Sequence, residues 1–237
     1  MDSTTGLGQP WGGMREVIST SDAPSSPLYS QAVKAGGSSA ESDADSWTQY
    51  LDQRPIVVAL AGPNGAGKST FFEAHLKSSG LRFLNADVLA KEMEVDAYDA
   101  ARLVAALRIE FVRQRESFVF ETVFSDPVGD KLAFLKQTAQ SGYAVVLCFI
   151  GIADANTSEQ RVAMRVSQGG HDVPTEKLIA RFPRTLANLS AAIRELPSVL
   201  VFDNDDLRTP FRHVAVFANS RPFLLKRPVP SWLQSLL

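Results

Sequence analysis

Between Ala61 and Thr70 the chain reads Ala-Gly-Pro-Asn-Gly-Ala-Gly-Lys-Ser-Thr, and from Gly62 onward this is an ungapped G-x-x-x-x-G-K-[ST]. It follows an apolar run, 56–60, and precedes a helix-like one, the placement a phosphate cradle requires. Gly62, Gly65 and Gly67 admit backbone angles closed to residues with a Cβ, so successive N–H groups can turn toward phosphate oxygens. Lys68 then carries its ammonium to the outer phosphates and Ser69 offers a hydroxyl to Mg²⁺, with Pro63, Asn64, Ala66 and Thr70 completing the cradle. The alternative is a Gly-rich turn that binds nothing. Two acids follow, Asp87 behind a strand-like run at 81–85 and Glu121, with Thr122, behind another at 117–120. Each stands at the edge of an open parallel sheet where ligands collect. Arg161 and Arg165 lie one helical turn apart ahead of Gly169 and Gly170, and Arg181 and Arg184 sit on a later helix.

The elements that must position these groups can be read in order. Residues 1–46 are rich in Ser, Gly, Ala, Thr, Pro and Asp without sustained periodicity, and are expected to be a disordered acidic tail ahead of one domain at 47–237. Trp47 and Tyr50 mark a short helical lead-in. A first helix, 69–78, ends at Gly80 as a left-handed cap. A short acidic segment follows Asp87, and 97–115 has the apolar spacing of an amphipathic helix (Leu103, Val104, Leu107, Phe111) whose arginines are expected to face water. Asp126-Pro127 reads as cap and first turn of a helix through Gln140, closed by Gly142. Strands are expected at 143–150 and 199–202, a short helix at 159–167 with Gly169-Gly170 as the hinge of an arginine lid, and a long helix at 174–196 bent at Pro183. The end of the chain, about 211–227, reads as a β-hairpin with Trp232 against its apolar face. Strands alternating with helices behind a Walker-type loop predict an α/β P-loop sandwich with a mainly parallel five-stranded sheet.

Composition bounds the rest. The net charge of −2 hides an asymmetry, because residues 1–46 hold six acidic and two basic residues, but neither part is basic enough to imply nucleic acid. No apolar run approaches the ~20 residues of a membrane span and the start lacks the order of a secretory signal, so a cytoplasmic protein without a membrane partner is expected. Cys148 is the sole cysteine and lies in a strand-like run, and His75, His171 and His213 have no metal-ligand spacing.

A GTPase should show Asn-Lys-x-Asp, an ABC ATPase its Gly-rich signature, and an AAA motor a longer chain with paired acids; none is present. What remains is a small-molecule kinase, and the chain resembles the zeta toxin-like kinases over about 54–205. The resemblance rests on 62–70, Asn85-Ala86-Asp87, Phe120-Glu121-Thr122 and the block from Arg161 to Asn188. It implies ATP and Mg²⁺ as cofactors, a small hydroxylated acceptor, in the toxins UDP-N-acetylglucosamine, and a possible protein antitoxin or inhibitor. It further implies Asp87 as general base, with helix N-cap as the bland alternative, and Arg161 and Arg165 over the transferring phosphoryl group rather than on a solvated face. By the same resemblance Glu121 and Thr122 hold substrate, with a Mg²⁺-side role for Glu121 as the rival. Arg181 and Arg184 become phosphate or substrate contacts, and Asn204 lies where backbone passes the adenine. In the toxins Gly-Thr and then an arginine follow the glutamate, whereas here the run is Thr122-Val123-Phe124-Ser125-Asp126. Two other classes stay open: a nucleotide-gated binding protein without turnover and a nucleic-acid 5′-end kinase.

Overall fold

The computed structural model describes residues 47–167 and 173–237. The expected tail at 1–46, the Gly169-Gly170 hinge and His171 lie outside the described residues. Seven strands form one sheet in the order β2-β3-β1-β4-β5-β6-β7. Its centre is β1 (Ile56–Ala61), paired in parallel with β3 (Phe118–Thr122) on one side and β4 (Ala144–Gly151) on the other. All six residues of β1 are buried, which is why it and β4 read as unbroken apolar runs: helices cover both faces of a parallel sheet. Outside β3 lies β2 (Arg82–Leu84) and outside β4 lies β5 (Ser198–Asp203), both parallel.

The expectation of five strands is corrected here. The terminal hairpin, β6 (Arg212–Ala218) and β7 (Arg221–Leu225), continues the same sheet, with β6 antiparallel to β5. Its two-residue turn has positive φ at both Asn219 and Ser220, the backbone twist that suits a tight hairpin. The run from His213 to Phe217 is buried because β5 offers it an open edge.

The helices are α1 (Lys68–Phe71), running on through a wider turn at Phe72–Leu76 to Gly80 in the left-handed conformation, then α2 (Ala86–Met93) and α3 (Ala97–Arg113). They continue with α4 (Asp130–Gln140), α5 (Ala155–Ser167), α6 (Thr175–Glu195, with Pro183 inside it) and α7 (Ser231–Gln234). Three readings change. The acidic segment after Asp87 is helix α2, a short helix none of whose residues is buried. Helix α4 starts at Asp130 behind Gly129, while Asp126 bonds from outside, accepting the Lys131 N–H at 3.4 Å. On α3, Arg102 and Arg113 pair with Asp99 and Glu110 on the exposed face, but the Arg108 guanidinium lies 4.7 Å from the Phe120 ring centre and 5.0 Å from that of Phe134.

The short helix Trp47–Leu51 brings Trp47 within 5.6 Å of Phe71 and 5.2 Å of Phe202, ring to ring. At the other end, Trp232 donates its Nε1–H to Asp203 Oδ1 at 3.0 Å, and Arg212 takes the second carboxylate oxygen at 3.1 Å. Gly151 makes room for that ring, since a Cβ there would stand 2.1 Å from it. Removing the Trp232 side chain leaves a cavity and an unpaired buried carboxylate oxygen. Trp232→Ala is therefore expected to cost about 3–5 kcal/mol, read as a lowered urea midpoint, and an unchanged midpoint would contradict this packing.

Cys148 is fully buried in β4, and burial pushes its thiol up to about 12. A raised thiol pKa stabilises the fold below the unfolded value of 9.0, and that contribution is lost as pH climbs toward 12. Stability should fall above pH 9, by about 1.4 kcal/mol per pH unit from this group. Cys148→Ala should flatten the fall, leaving the part due to Tyr50, whose phenol burial likewise raises to about 12.

Candidate active site

The loop from Gly62 to Gly67 is braced from outside. Lys68 Nζ donates to the Pro63 carbonyl at 3.0 Å, Ser158 Oγ to the Asn64 carbonyl at 2.7 Å, and Asn204 Nδ2 to the Ala66 carbonyl at 2.8 Å. With carbonyls occupied from behind, the loop is disposed to turn amide N–H groups toward an anion. Gly62 has φ 145, and a Cβ there would meet the Ile150 carbonyl oxygen at 2.2 Å, so strand β4 demands glycine at this position.

Glu121 is the hub. Parallel pairing sets it level with Leu60 of β1, so its carboxylate reaches the far end of the phosphate loop. Its Oε2 accepts from Ser69 Oγ at 2.9 Å and from Asn85 Nδ2 at 2.8 Å, while Oε1 stands 3.7 Å from Lys68 Nζ. Asn85 is the N-cap of α2, its Oδ1 accepting the Asp87 and Val88 N–H groups at 2.8 and 3.2 Å. Asn85 thus holds Asp87 in the first helical turn with one end of its amide and Glu121 with the other. The bland reading of Asp87 as the cap falls to Asn85.

Lys68 is buried, and burial pushes its ammonium below the usual lysine range. The Glu121 and Asp87 carboxylates push it back up, and the Arg165 guanidinium pushes it down again. Glu121, Asp87 and Arg165 therefore each lie within electrostatic reach of Lys68, and phosphates arriving beside it would restore the ammonium's stability.

Arg161 is placed otherwise than its neighbour. Its guanidinium donates to the carbonyls of Asn204 at 2.7 Å and Asp205 at 2.8 Å, tying α5 to the segment after β5. Asn204 is buried, and its side chain bridges the Ala66 carbonyl and the Phe211 N–H, so the amide serves the loop. On α6, Arg181 is half-buried and Arg184 exposed. The same helix fixes the segment after β3: Thr185 Oγ1 donates to Val123 O at 3.0 Å, and Asn188 Nδ2 to Phe124 O at 2.9 Å and Asp126 O at 3.0 Å. Thr122 Oγ1 accepts the Phe124 N–H at 3.0 Å, turning the chain away from the strand. Sequence reasoning missed Ser158, Thr185 and the second role of Asn85. An Asn one residue ahead of Ala86-Asp87 was a readable cap signal, but nothing local marks the other two.

A family profile described as zeta toxin matches residues 41–209. Among solved structures, the complex of AvrRxo1-ORF1 with -ORF2 and ATP superposes with a TM-score of 0.57 at 17% identity, over 74% of this chain and 62% of that one. The same complex with sulphate ions gives 0.53 at 18% identity, over 74% and 62%. The PezAT toxin–antitoxin system of Streptococcus pneumoniae gives 0.48 at 14% identity, over 78% of each chain. The chain thus spans about 62% of the length of the AvrRxo1 chain it matches. No curated protein sequence matches it.

Proposed function

Because the chain belongs to the zeta toxin family, we propose that it is an ATP- and Mg²⁺-dependent phosphotransferase, moving the γ-phosphate to a hydroxyl of a small metabolite of the nucleotide-sugar kind. The observation that carries the reading is Glu121, held at once by Ser69, Asn85 and Lys68 at the open edge of the sheet. The ATP carried by the structurally similar AvrRxo1 complex supports the nucleotide, and the two-component make-up of that complex supports an inhibitory protein partner. We take residues 47–237 as the kinase domain.

The donor set suits a hard cation: a hydroxyl and a carboxylate, both oxygen ligands, meet at Ser69 and Glu121. Bound there, Mg²⁺ supplies charge neutralisation to the phosphates. This favours the metal side for Glu121 over a contact with sugar hydroxyls. Lys68 holds the outer phosphates, and its present bond to the Pro63 carbonyl keeps it aligned for them. Asp87 accepts the proton of the acceptor hydroxyl. Arg165, the arginine within reach of Lys68, neutralises the transferring group, while Arg161 acts as a positioning residue through the 204–205 carbonyls. Arg181 and Arg184 are offered to the acceptor's own phosphates.

The test is transfer of label from γ-³²P-ATP to a panel of sugars, nucleotide sugars and oligonucleotides, with Lys68→Met as control. A labelled metabolite absent from the control supports the reading. ATP binding with no labelled product would replace it with a nucleotide-gated binding protein, and label on oligonucleotide ends with a nucleic-acid kinase. Within the same assay, Glu121→Gln should raise the Mg²⁺ concentration needed for half-maximal rate about tenfold or more. A changed acceptor KM with unchanged Mg²⁺ dependence would return Glu121 to the substrate.

A further inference from the structure

At the end of the sheet away from the phosphate loop, a cleft of about 570 Å³ opens where β1, β2 and β3 begin. Pro55, Leu81 and Ser117, the residues just ahead of those strands, form part of its wall. Strand β1 runs six residues from here to the phosphate loop, about 20 Å at ~3.3 Å per residue, so the cleft is separate from the site around Lys68. Arg54, Arg82 and Arg115 line it, and Glu116 is the one acid among the described residues that do. Exposed arginines are usually no more than a solvated face. These three are held in place. Arg54 Nη1 donates to the Leu51 and Gln53 carbonyls, and Arg82 lies 5.4 Å from the Phe111 ring centre with its Nε 4.0 Å from a Glu116 oxygen. Arg115 lies 5.4 Å from the Tyr143 ring centre and donates Nη1 to the Ser141 carbonyl at 3.2 Å. Beyond these bonds the guanidinium N–H groups have no hydrogen-bond partner among the described residues.

The backbone gives a second, independent sign. Helix α3 closes with the Arg115 N–H bonded to the Val112 carbonyl at 3.1 Å and the Glu116 N–H to that of Phe111 at 2.9 Å, a cap whose first residue is left-handed. The turns ahead of β2 and β4 at the same edge put glycine in that conformation, Gly80 at φ 69 and Gly142 at φ 84, but α3 puts Arg115 there at φ 58. A Cβ is disfavoured at such an angle, and strained positions gather where function needs the side chain. We propose that this cleft binds a phosphomonoester or phosphate dianion, free or carried on a small molecule, apart from the nucleotide site. Three guanidiniums against one carboxylate leave two positive charges, matching the charge of about −1.5 to −2 that a phosphomonoester carries at pH 7. The planar forks present paired N–H groups to phosphate oxygens. Ser117 Oγ accepts the Ile56 N–H at 3.1 Å and keeps its own hydrogen for one of those oxygens. The volume is that of a site for a molecule the size of a sugar phosphate.

Two-dimensional ¹⁵N NMR of the full chain, titrated with inorganic phosphate and with ribose 5-phosphate at constant ionic strength, reads the two sites separately. Amides of Gly80, Arg82 and Ser117 report the cleft, and those of Gly65 and Gly67 the phosphate loop. The cleft amides should shift saturably with a Kd of about 1 mM or lower, the strength of two or more charge-assisted hydrogen bonds. Arg54→Gln and Arg82→Gln should each weaken that binding by about tenfold or more and leave the response of Gly65 and Gly67 unchanged. Arg115→Gly should weaken it by the same factor, and because glycine is the usual residue in this conformation the end of α3 is kept. Tighter binding of ribose 5-phosphate would identify an organic phosphate as the ligand, and equal binding the free anion. The proposal is overturned if the cleft amides do not saturate, if sodium chloride moves them equally, if succinate binds more tightly than either phosphate, or if the three variants bind as the unaltered chain does. None of these results turns on phosphoryl transfer, so the kinase reading stands or falls apart from them.

Discussion

Asp87→Asn is expected to lower kcat for the best acceptor by roughly 10²–10⁴ while leaving ATP affinity within a few-fold, the range general-base removal produces. The substitution preserves size and the Asp87 N–H bond to Asn85 Oδ1, so α2 should keep its start. What it removes is, among the described residues, the carboxylate acting on Lys68 that is not committed to Ser69 and Asn85, since Glu121 is. An acceptor hydroxyl must lose its proton as transfer completes, and an amide cannot take it. Steady-state kinetics with acceptor and ATP varied separately give the result. A rate within threefold of the parent would assign the base elsewhere, and an acceptor KM raised with kcat intact would make Asp87 a binding residue. Asn85→Ala is the companion: by freeing both α2 and Glu121 it should disturb kcat and Mg²⁺ dependence together.

Gly62→Ala should destabilise the fold and abolish nucleotide binding in one step. The new methyl would stand 2.2 Å from the Ile150 carbonyl oxygen, at φ 145, where side chains are rarely tolerated. Overpacking costs about 1–3 kcal/mol, and a strained backbone position of this kind a further ~1–3 kcal/mol. Against a typical domain stability of about 5–15 kcal/mol this is a large loss. Gly80→Ala is the control, with φ 69 but nothing within 4 Å of the added carbon, so it carries backbone strain without the clash. Urea midpoints for the two variants that fall by the same amount would mean that the Gly62 contact with β4 is not rigid.

The phosphate loop was legible because its requirements are local: which positions tolerate positive φ, where the lysine follows, and a strand and a helix on either side. The central strands were legible because burial on both faces leaves an unbroken apolar run. Helix α2 was not, being short and without a buried face, nor was the start of α4, where a strong Asp-Pro signal at 126–127 was outweighed by Gly129 and by bonds from Asn188 to the preceding segment. Arg108 carried no sequence mark distinguishing it from Arg102 and Arg113. Only the packing of α3 against Phe120 and Phe134 drew one of the three inward.

By itself the sequence determined a phosphate-binding turn between a buried strand and a helix, acids at the ends of two later strands, and arginines on two later helices, because each follows from backbone preference or hydrophobic period within a dozen residues. Tertiary structure decided which of those groups meet. Glu121 reaches Ser69 only because β3 lies beside β1 with Leu60 opposite Glu121. Arg161 is drawn onto the 204–205 carbonyls only because β5 ends beside α5. Strand order and register arise from how whole helices pack across the sheet, a long-range balance of burial that no short stretch of residues encodes.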